Sequence, residues 1–202
     1  AASGADGFIA VGQGAGGQAG PYSSQVLVPA LIKKFPEIPV IASGGIANGA
    51  GTLSMLALGA SAVSMGTRFI ASKECEVSDE YKKAIIEAGL EDIVMSDRIS
   101  GTPNSIINTP FAKKIGLKQN WIEKLITANP ATKIYFKKML QKKSMVRLQK
   151  SIMPGNYNNL WIAGQTVELI KEISTCDEII QQLKHETFEG FTQMVVKFFR
   201  QG

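Results

Sequence analysis

An α/β fold carried on a parallel sheet is predicted from three features of the first ninety residues. A unit of short apolar strand, glycine loop and helix recurs three times, at about 25-residue spacing. The apolar runs are continuous rather than alternating, as strands buried on both faces require. Glycine is frequent, 20 of 202 residues, and much of it stands directly after those runs.

In the first unit, the run Phe8-Ile9-Ala10-Val11 precedes a glycine cluster that includes Gly12, Gly14, Gly16, Gly17 and Gly20. A helix over 24–35 follows, with Val26, Leu27, Ala30 and Leu31 on one face, and it ends before Pro36. The second unit sets Pro39-Val40-Ile41-Ala42-Ser43 before Gly44-Gly45. Asn48 is placed to cap a helix reaching Leu58, with Gly59 at its C-terminal end. The third has Ala62-Val63-Ser64-Met65 before Gly66-Thr67, then a helix over about 78–88 with Ser78 at its N-cap. Three units are too few for a closed eight-stranded barrel, which takes about 250 residues.

Beyond Gly89 the regularity stops. Residues 92–96 are predicted to form a short extra strand, 100–105 a loop, and 120–145 a basic helical stretch interrupted by Pro130. Residues 151–159, around Pro154-Gly155-Asn156, form another loop. Leu160 to Gln165 resembles a strand running into a glycine turn. Residues 177–199 carry a helical pattern in one or two pieces, with Gly190 as the place for a break. The predicted division is 1–90, βα units, and 91–202, a mainly helical extension with C-terminal helices.

Composition narrows the class. The chain is 45% hydrophobic and 19% charged, with mean hydropathy +0.05, enough apolar content for a buried core. It has no run of about 18 apolar residues, and no basic segment leads into an apolar one at the start, so a soluble cytoplasmic protein without a membrane partner is expected. Cys75 and Cys176 have neither metal-ligand spacing nor a disulfide framework, and no metal is expected. The net charge of +5 is concentrated between Lys113 and Lys150, where Glu123 is the only acid. That stripe carries no nucleic-acid motif and is read as a solvated helical face; a nucleic-acid partner is not expected.

The chemistry points to the glycine turns. Turns at the C-terminal ends of parallel strands face one side, where βα enzymes place their sites. Glycine lets backbone N–H groups approach an anion closely, and Thr67 adds a hydroxyl. Any one βα loop can be a simple tight turn; two adjacent units, Ser43-Gly44-Gly45-Ile46-Ala47 and Met65-Gly66-Thr67-Arg68-Phe69, point to a phosphate cup.

Those segments, with Gly4-Ala5-Asp6, Ala15-Gly16-Gly17 and Leu58-Gly59-Ala60, resemble the C-terminal half of a nitronate monooxygenase, formerly called 2-nitropropane dioxygenase. The resemblance continues through Lys82, Ser100-Gly101-Thr102 and residues 161–165, and extends to the related flavin-dependent enoyl-acyl carrier protein reductases. It implies the C-terminal part of a (β/α)8 TIM barrel with an appended mainly helical region, 1–90 being the last βα units of an FMN-binding barrel. It also implies non-covalent FMN and oxidation of alkyl nitronates, a small-molecule substrate, with molecular oxygen. By the same resemblance the FMN phosphate is expected at Gly44, Gly45, Ser64, Met65, Gly66 and Thr67, with Gly16 and Gly17 beside the flavin.

Two positions depart from the family pattern. Gln18 stands where the family usually has a histidine that serves as catalytic base or substrate contact, which makes Gln18 the candidate catalytic residue. An amide donates and accepts hydrogen bonds but takes no proton near neutral pH. Val11 stands where the family often has Gln. The single histidine, His185, is read as a surface or packing residue of the C-terminal helix. The chain opens on Ala1 rather than Met, and the family has earlier strands; completion by an N-terminal half or in a homo-oligomer is expected. The alternative functions are an enoyl-thioester reductase using NAD(P)H and a non-catalytic flavin- or phosphate-binding protein.

Overall fold

The computed structural model describes residues 4–97, 102–118, 146 and 160–200. Its strands are β1 (Phe8–Val11), β2 (Gly17–Gln18), β3 (Val40–Ser43), β4 (Ala62–Ser64), β5 (Ile93–Ser96) and β6 (Asn104–Ile107). The helices are α1 (Ser24–Lys34), α2 (Gly49–Ala57), the short α3 (Thr67–Ile70), α4 (Asp79–Glu87), α5 (Pro110–Ile115) and α6 (Cys176–Phe199). The α/β class predicted from the βα pattern is present.

The three predicted parallel strands form one sheet in the order β1-β3-β4. Registers align Ile9 with Ile41 and Ala62, and Ala10 with Ala42 and Val63. The face carrying Ala10, Val40 and Ala42 packs on α1 and α2, with Val28, Ile46 and Met55 completing that core. The opposite face departs from expectation. Continuous apolar runs predict burial on both sides, yet Ile9 is 63% and Val11 37% exposed. Among the described residues both edge strands pair only with β3, and Ile9 and Val11 are left without cover on that face.

Local signals placed the helices well. The Asn48 side chain accepts from Gly51 N at 2.9 Å, and that of Ser78 accepts from Tyr81 N, so both predicted N-caps form. Gly59, at φ +94°, ends the α2 turn in a conformation that favours glycine. α6 is a single helix through Gly190, where an added Cβ would lie 3.1 Å from Leu53 Cδ2; the glycine is a point of close approach, not a break.

A second, antiparallel sheet has the order β2-β6-β5. β5 matches the predicted extra strand. β2 lies inside the glycine cluster, and α5 starts at a Thr109 N-cap with Pro110 in its first turn; neither was anticipated. Leu160 to Gln165 does not form the expected strand. β5 pairs along all of β6, and β2 occupies half of the other edge. That leaves Ile162 a single bridge to Ile106 before the 3-10 turn Gln165–Leu169 begins. A core of Tyr81, Ile85, Ile107, Trp161, Val167 and Ile170 ties this sheet to α4. The expected helical stretch 120–145, the loop 151–159 and Ser100-Gly101 lie outside the described residues, as does most of the basic stripe.

Candidate functional site

The turns after β1, β3 and β4 converge on one pocket of about 240 Å³. Its walls are Gly14 to Gly16, Ser43 to Ile46, Ser64 to Thr67, Ile70, Ile162 and Thr166. Thus Gly16, Gly44, Gly45, Ser64, Met65, Gly66 and Thr67, seven of the residues singled out from sequence, meet in one place. Gly17 and Gln18 lie outside the lining, on β2, where Gln18 pairs with Asn104 and is exposed.

Backbone packing explains most of the glycines. A Cβ on Gly14 would lie 2.9 Å from Gly45 Cα, one on Gly44 2.7 Å from Ala15 N, and one on Gly16 2.7 Å from Gly164 N. Gly44 and Gly45 also hold φ of +90° and +79°. These contacts bring the turns within hydrogen-bonding reach: Gly45 N donates to Gly14 O at 3.1 Å, and Gly12 N to Ser43 O at 2.9 Å. Gly66 differs. Its φ is −99°, open to any residue, and a Cβ there would meet nothing within 4 Å. Within the described residues there is no packing reason for glycine at 66.

Thr67 is buried, and its Oγ1 accepts from Gly164 N at 3.2 Å. The hydroxyl proton is then directed away from that amide, available to an acceptor in the pocket. Among the described residues no ionisable side chain lines the pocket, so an anion there would meet only neutral donors from them. Ile162 is held in the wall by Tyr81, whose hydroxyl donates to the Ile162 carbonyl while its ring stacks on Trp161 at 5.5 Å between centroids. Burial pushes the Tyr81 phenol well above its usual titration range, so it stays a donor throughout the physiological range.

His185 sits on the exposed face of α6, with Nε2 3.4 Å from Glu189 Oε1, and takes no part in the pocket. Cys75 and Cys176 are free thiols. Among the described residues, no group of three or more His, Cys, Asp or Glu side chains is placed to hold a metal ion. Nor is any helix of those residues long and apolar enough to cross a membrane. A larger cavity lies elsewhere: an apolar groove of about 720 Å³ between α2 and α6, which shares only Met65 with the pocket's walls.

A family model described as nitronate monooxygenase matches residues 1–186. The chain belongs to the nitronate monooxygenase family. A probable nitronate monooxygenase of Staphylococcus saprophyticus is 32% identical over 183 residues, covering 85% of this chain and 48% of the relative. A (3aS,4S,5R,7aS)-5-hydroxy-7a-methyl-1-oxo-octahydro-1H-indene-4-carboxyl-CoA dehydrogenase of Rhodococcus jostii is 30% identical over 205 residues, covering 88% of this chain and 57% of the relative. The chain therefore spans about half the length of these curated relatives. The solved structure of FabK from Thermotoga maritima superposes with a TM-score of 0.78 at 34% identity, over 97% of this chain and 58% of that one. A nitroalkane oxidase from Streptomyces ansochromogenes, 22% identical with a TM-score of 0.67, shares the fold.

In this member of the nitronate monooxygenase family, sequence reasoning missed Gly14, Ala15, Ile70, Ile162 and Thr166 as pocket residues. Gly14 and Ala15 were inside a recognised glycine cluster. Ile162 and Thr166 approach from a segment nearly a hundred residues further on, and no local spacing marks such a contact.

Proposed function

We propose that the chain supplies the phosphate-binding end of a cytoplasmic FMN-dependent oxidoreductase that oxidises alkyl nitronates with molecular oxygen. The observation that carries this reading is Gly66: its missing side chain leaves open the wall of a pocket built from turns at the ends of parallel strands. At about 240 Å³ the pocket falls below the roughly 300–1,000 Å³ of a complete small-molecule site. That size suits the phosphate end of a cofactor whose rings extend over the neighbouring surface.

The residues present fit such a group. Gly44, Gly45, Ser64, Met65, Gly66 and Thr67 hold the phosphate, the Thr67 hydroxyl donating to it, while Gly16 and Gly17 flank the ring system. Bound FMN would supply the redox chemistry between the substrate and oxygen. The protein's part is to bind, orient and exclude water. Gln18 orients the substrate through its amide; a substrate that arrives already ionised as a nitronate needs no base there. Substituting Gln18→His should therefore raise turnover of neutral nitroalkanes more than that of nitronates, measured as oxygen uptake. Equal effects on both would remove Gln18 from the reacting end of the site.

Residues 1–90 are proposed as the last βα units of a (β/α)8 barrel and 91–202 as the extension that covers them. The uncovered sheet face at Ile9 and Val11 is then the barrel's interior side, closed by βα units preceding this segment in a longer polypeptide. A likeness to a relative named for a carboxyl-CoA substrate favours a second reading, an enoyl-thioester reductase using NAD(P)H.

The test is an absorbance spectrum of the purified protein after FMN reconstitution, then oxygen uptake with propyl-2-nitronate. Flavin bands with oxygen uptake support the nitronate monooxygenase reading. NAD(P)H consumption with an enoyl thioester and no response to nitronate selects the reductase, and bound flavin with neither activity leaves a binding protein. Protein that stays colourless overturns all three flavin readings.

A further inference from the structure

Beyond Ser43 and Ser64 the ladder joining β3 to β4 ends, so the two turns that form the pocket are no longer held by sheet hydrogen bonds. A chain of polar contacts through α6 links the segments that follow them. Arg68 follows Thr67 directly and is only 5% exposed. Its guanidinium donates to Glu172 O at 3.1 Å and to Gln182 Oε1 at 3.4 Å. Gln182 Nε2 donates in turn to Glu186 Oε1 at 2.8 Å. The other oxygen of Glu186 accepts from Gly49 N at 2.7 Å, at the first residue of α2 and just beyond the Gly44-Gly45 turn.

This contact is tight and built in. A Cβ on Gly49 would lie 2.3 Å from Glu186 Cβ, so only glycine lets α6 come this close. Arg68, Gln182 and Glu186 border a third cavity, of about 270 Å³, that shares no lining residue with the pocket. They therefore touch neither a phosphate nor a substrate bound there.

We propose that Arg68, Gln182 and Glu186 are positioning residues, a polar strut that sets the spacing of the Gly44-Gly45 and Gly66-Thr67 turns and with it the affinity for the phosphate end of the cofactor. The strut's role rests on the flavin-phosphate reading above. It predicts an effect on the phosphate that the rest of the flavin does not share.

Gln182 is exposed on α6, so Gln182→Ala removes the middle link without opening the core. Dissociation constants for FMN and for riboflavin, which lacks the phosphate, are measured by flavin fluorescence on the full chain, alongside a thermal melt. Gln182→Ala should weaken FMN about tenfold and leave riboflavin unchanged. Gln182→Glu should match it: it keeps an acceptor for Arg68 but loses the donor to Glu186 and sets two carboxylates together. Arg68→Lys, which keeps the charge but loses the planar fork, should act in the same direction. Equal weakening of both ligands, or an unchanged FMN constant, overturns the strut while leaving the flavin reading intact. Wild-type protein that does not prefer FMN to riboflavin overturns the phosphate reading and the strut with it.

Discussion

At Gly44 a Cβ would lie 2.7 Å from Ala15 N with φ at +90°, whereas at Gly66 it would meet nothing and φ is −99°. The same substitution should therefore separate structure from binding. Gly44→Ala should cost about 1–3 kcal/mol or more in a denaturant melt, from strain and a backbone clash together. Gly66→Ala should leave the melting temperature unchanged and weaken FMN at least about tenfold, because the new methyl occupies the phosphate's approach. An unaltered FMN affinity in Gly66→Ala would sink the central claim about the pocket. Tyr81 gives a pH test at the same scale. Burial raises its pKa in the folded state above the ordinary value of about 10. The native chain therefore keeps a proton that the unfolded chain releases; the stability this confers is complete below about pH 10 and falls as pH rises beyond it. Tyr81→Phe should cost about 1–2 kcal/mol at neutral pH, from the orphaned Ile162 carbonyl, and should flatten the alkaline decline seen in wild type. Parallel alkaline curves for the two proteins would refute it.

Among the elements, α2 shows how tertiary contact reverses a local preference. Alanine is a better helix former than glycine by about 1 kcal/mol. At Gly51 the nearest neighbours of an added Cβ, Asn48 Oδ1 and Ile46 Cγ2, lie at an ordinary 3.4 Å, so Gly51→Ala should stabilise by about 0.5–1 kcal/mol. At Gly49, two residues earlier, α6 leaves no room, and Gly49→Ala should destabilise. A thermal melt of the pair reads the sign directly. If both substitutions stabilise, α6 does not pack on the start of α2 as described. The caps Asn48 and Ser78 were legible because each side chain acts within three residues of itself. The tightness at Gly49 was not, since its cause lies at Glu186, 137 positions away.

For the whole molecule, the dominant feature is uncovered apolar surface. Ile9 and Val11 line one sheet face, among the described residues neither edge of that sheet pairs with a further strand, and Phe188 and Phe191 border the groove beside α2. At the far end of α6, Phe198 and Phe199 are 77% and 82% exposed. Surface of this kind marks an interface, and open edges invite strand pairing. The 202 residues by themselves should therefore self-associate and bind an apolar dye. A longer polypeptide carrying the additional βα units proposed above should run as a discrete species with little dye fluorescence. Light scattering and dye titration check this; a dye-silent monomer of the 202 residues would count against barrel completion. A dye-silent dimer would instead assign the covered surface to a second copy.

What the sequence determined by itself was local: strand runs, caps, the glycine turns and their position at strand ends, because each depends on neighbours a few residues apart. It also carried the family motifs, and so the expectation of a flavin phosphate at Gly44-Gly45 and Gly66-Thr67. Only the tertiary structure decided which of the pocket's glycines are required by backbone packing and that Gly66 is not among them. It also decided that Ile162 enters the pocket's wall on a single bridge rather than within a strand, and that α6 reaches back to Arg68 and Gly49, just beyond the two turns. These are contacts between distant segments; their geometry is set when sheet and helices pack, and no spacing along the chain encodes it.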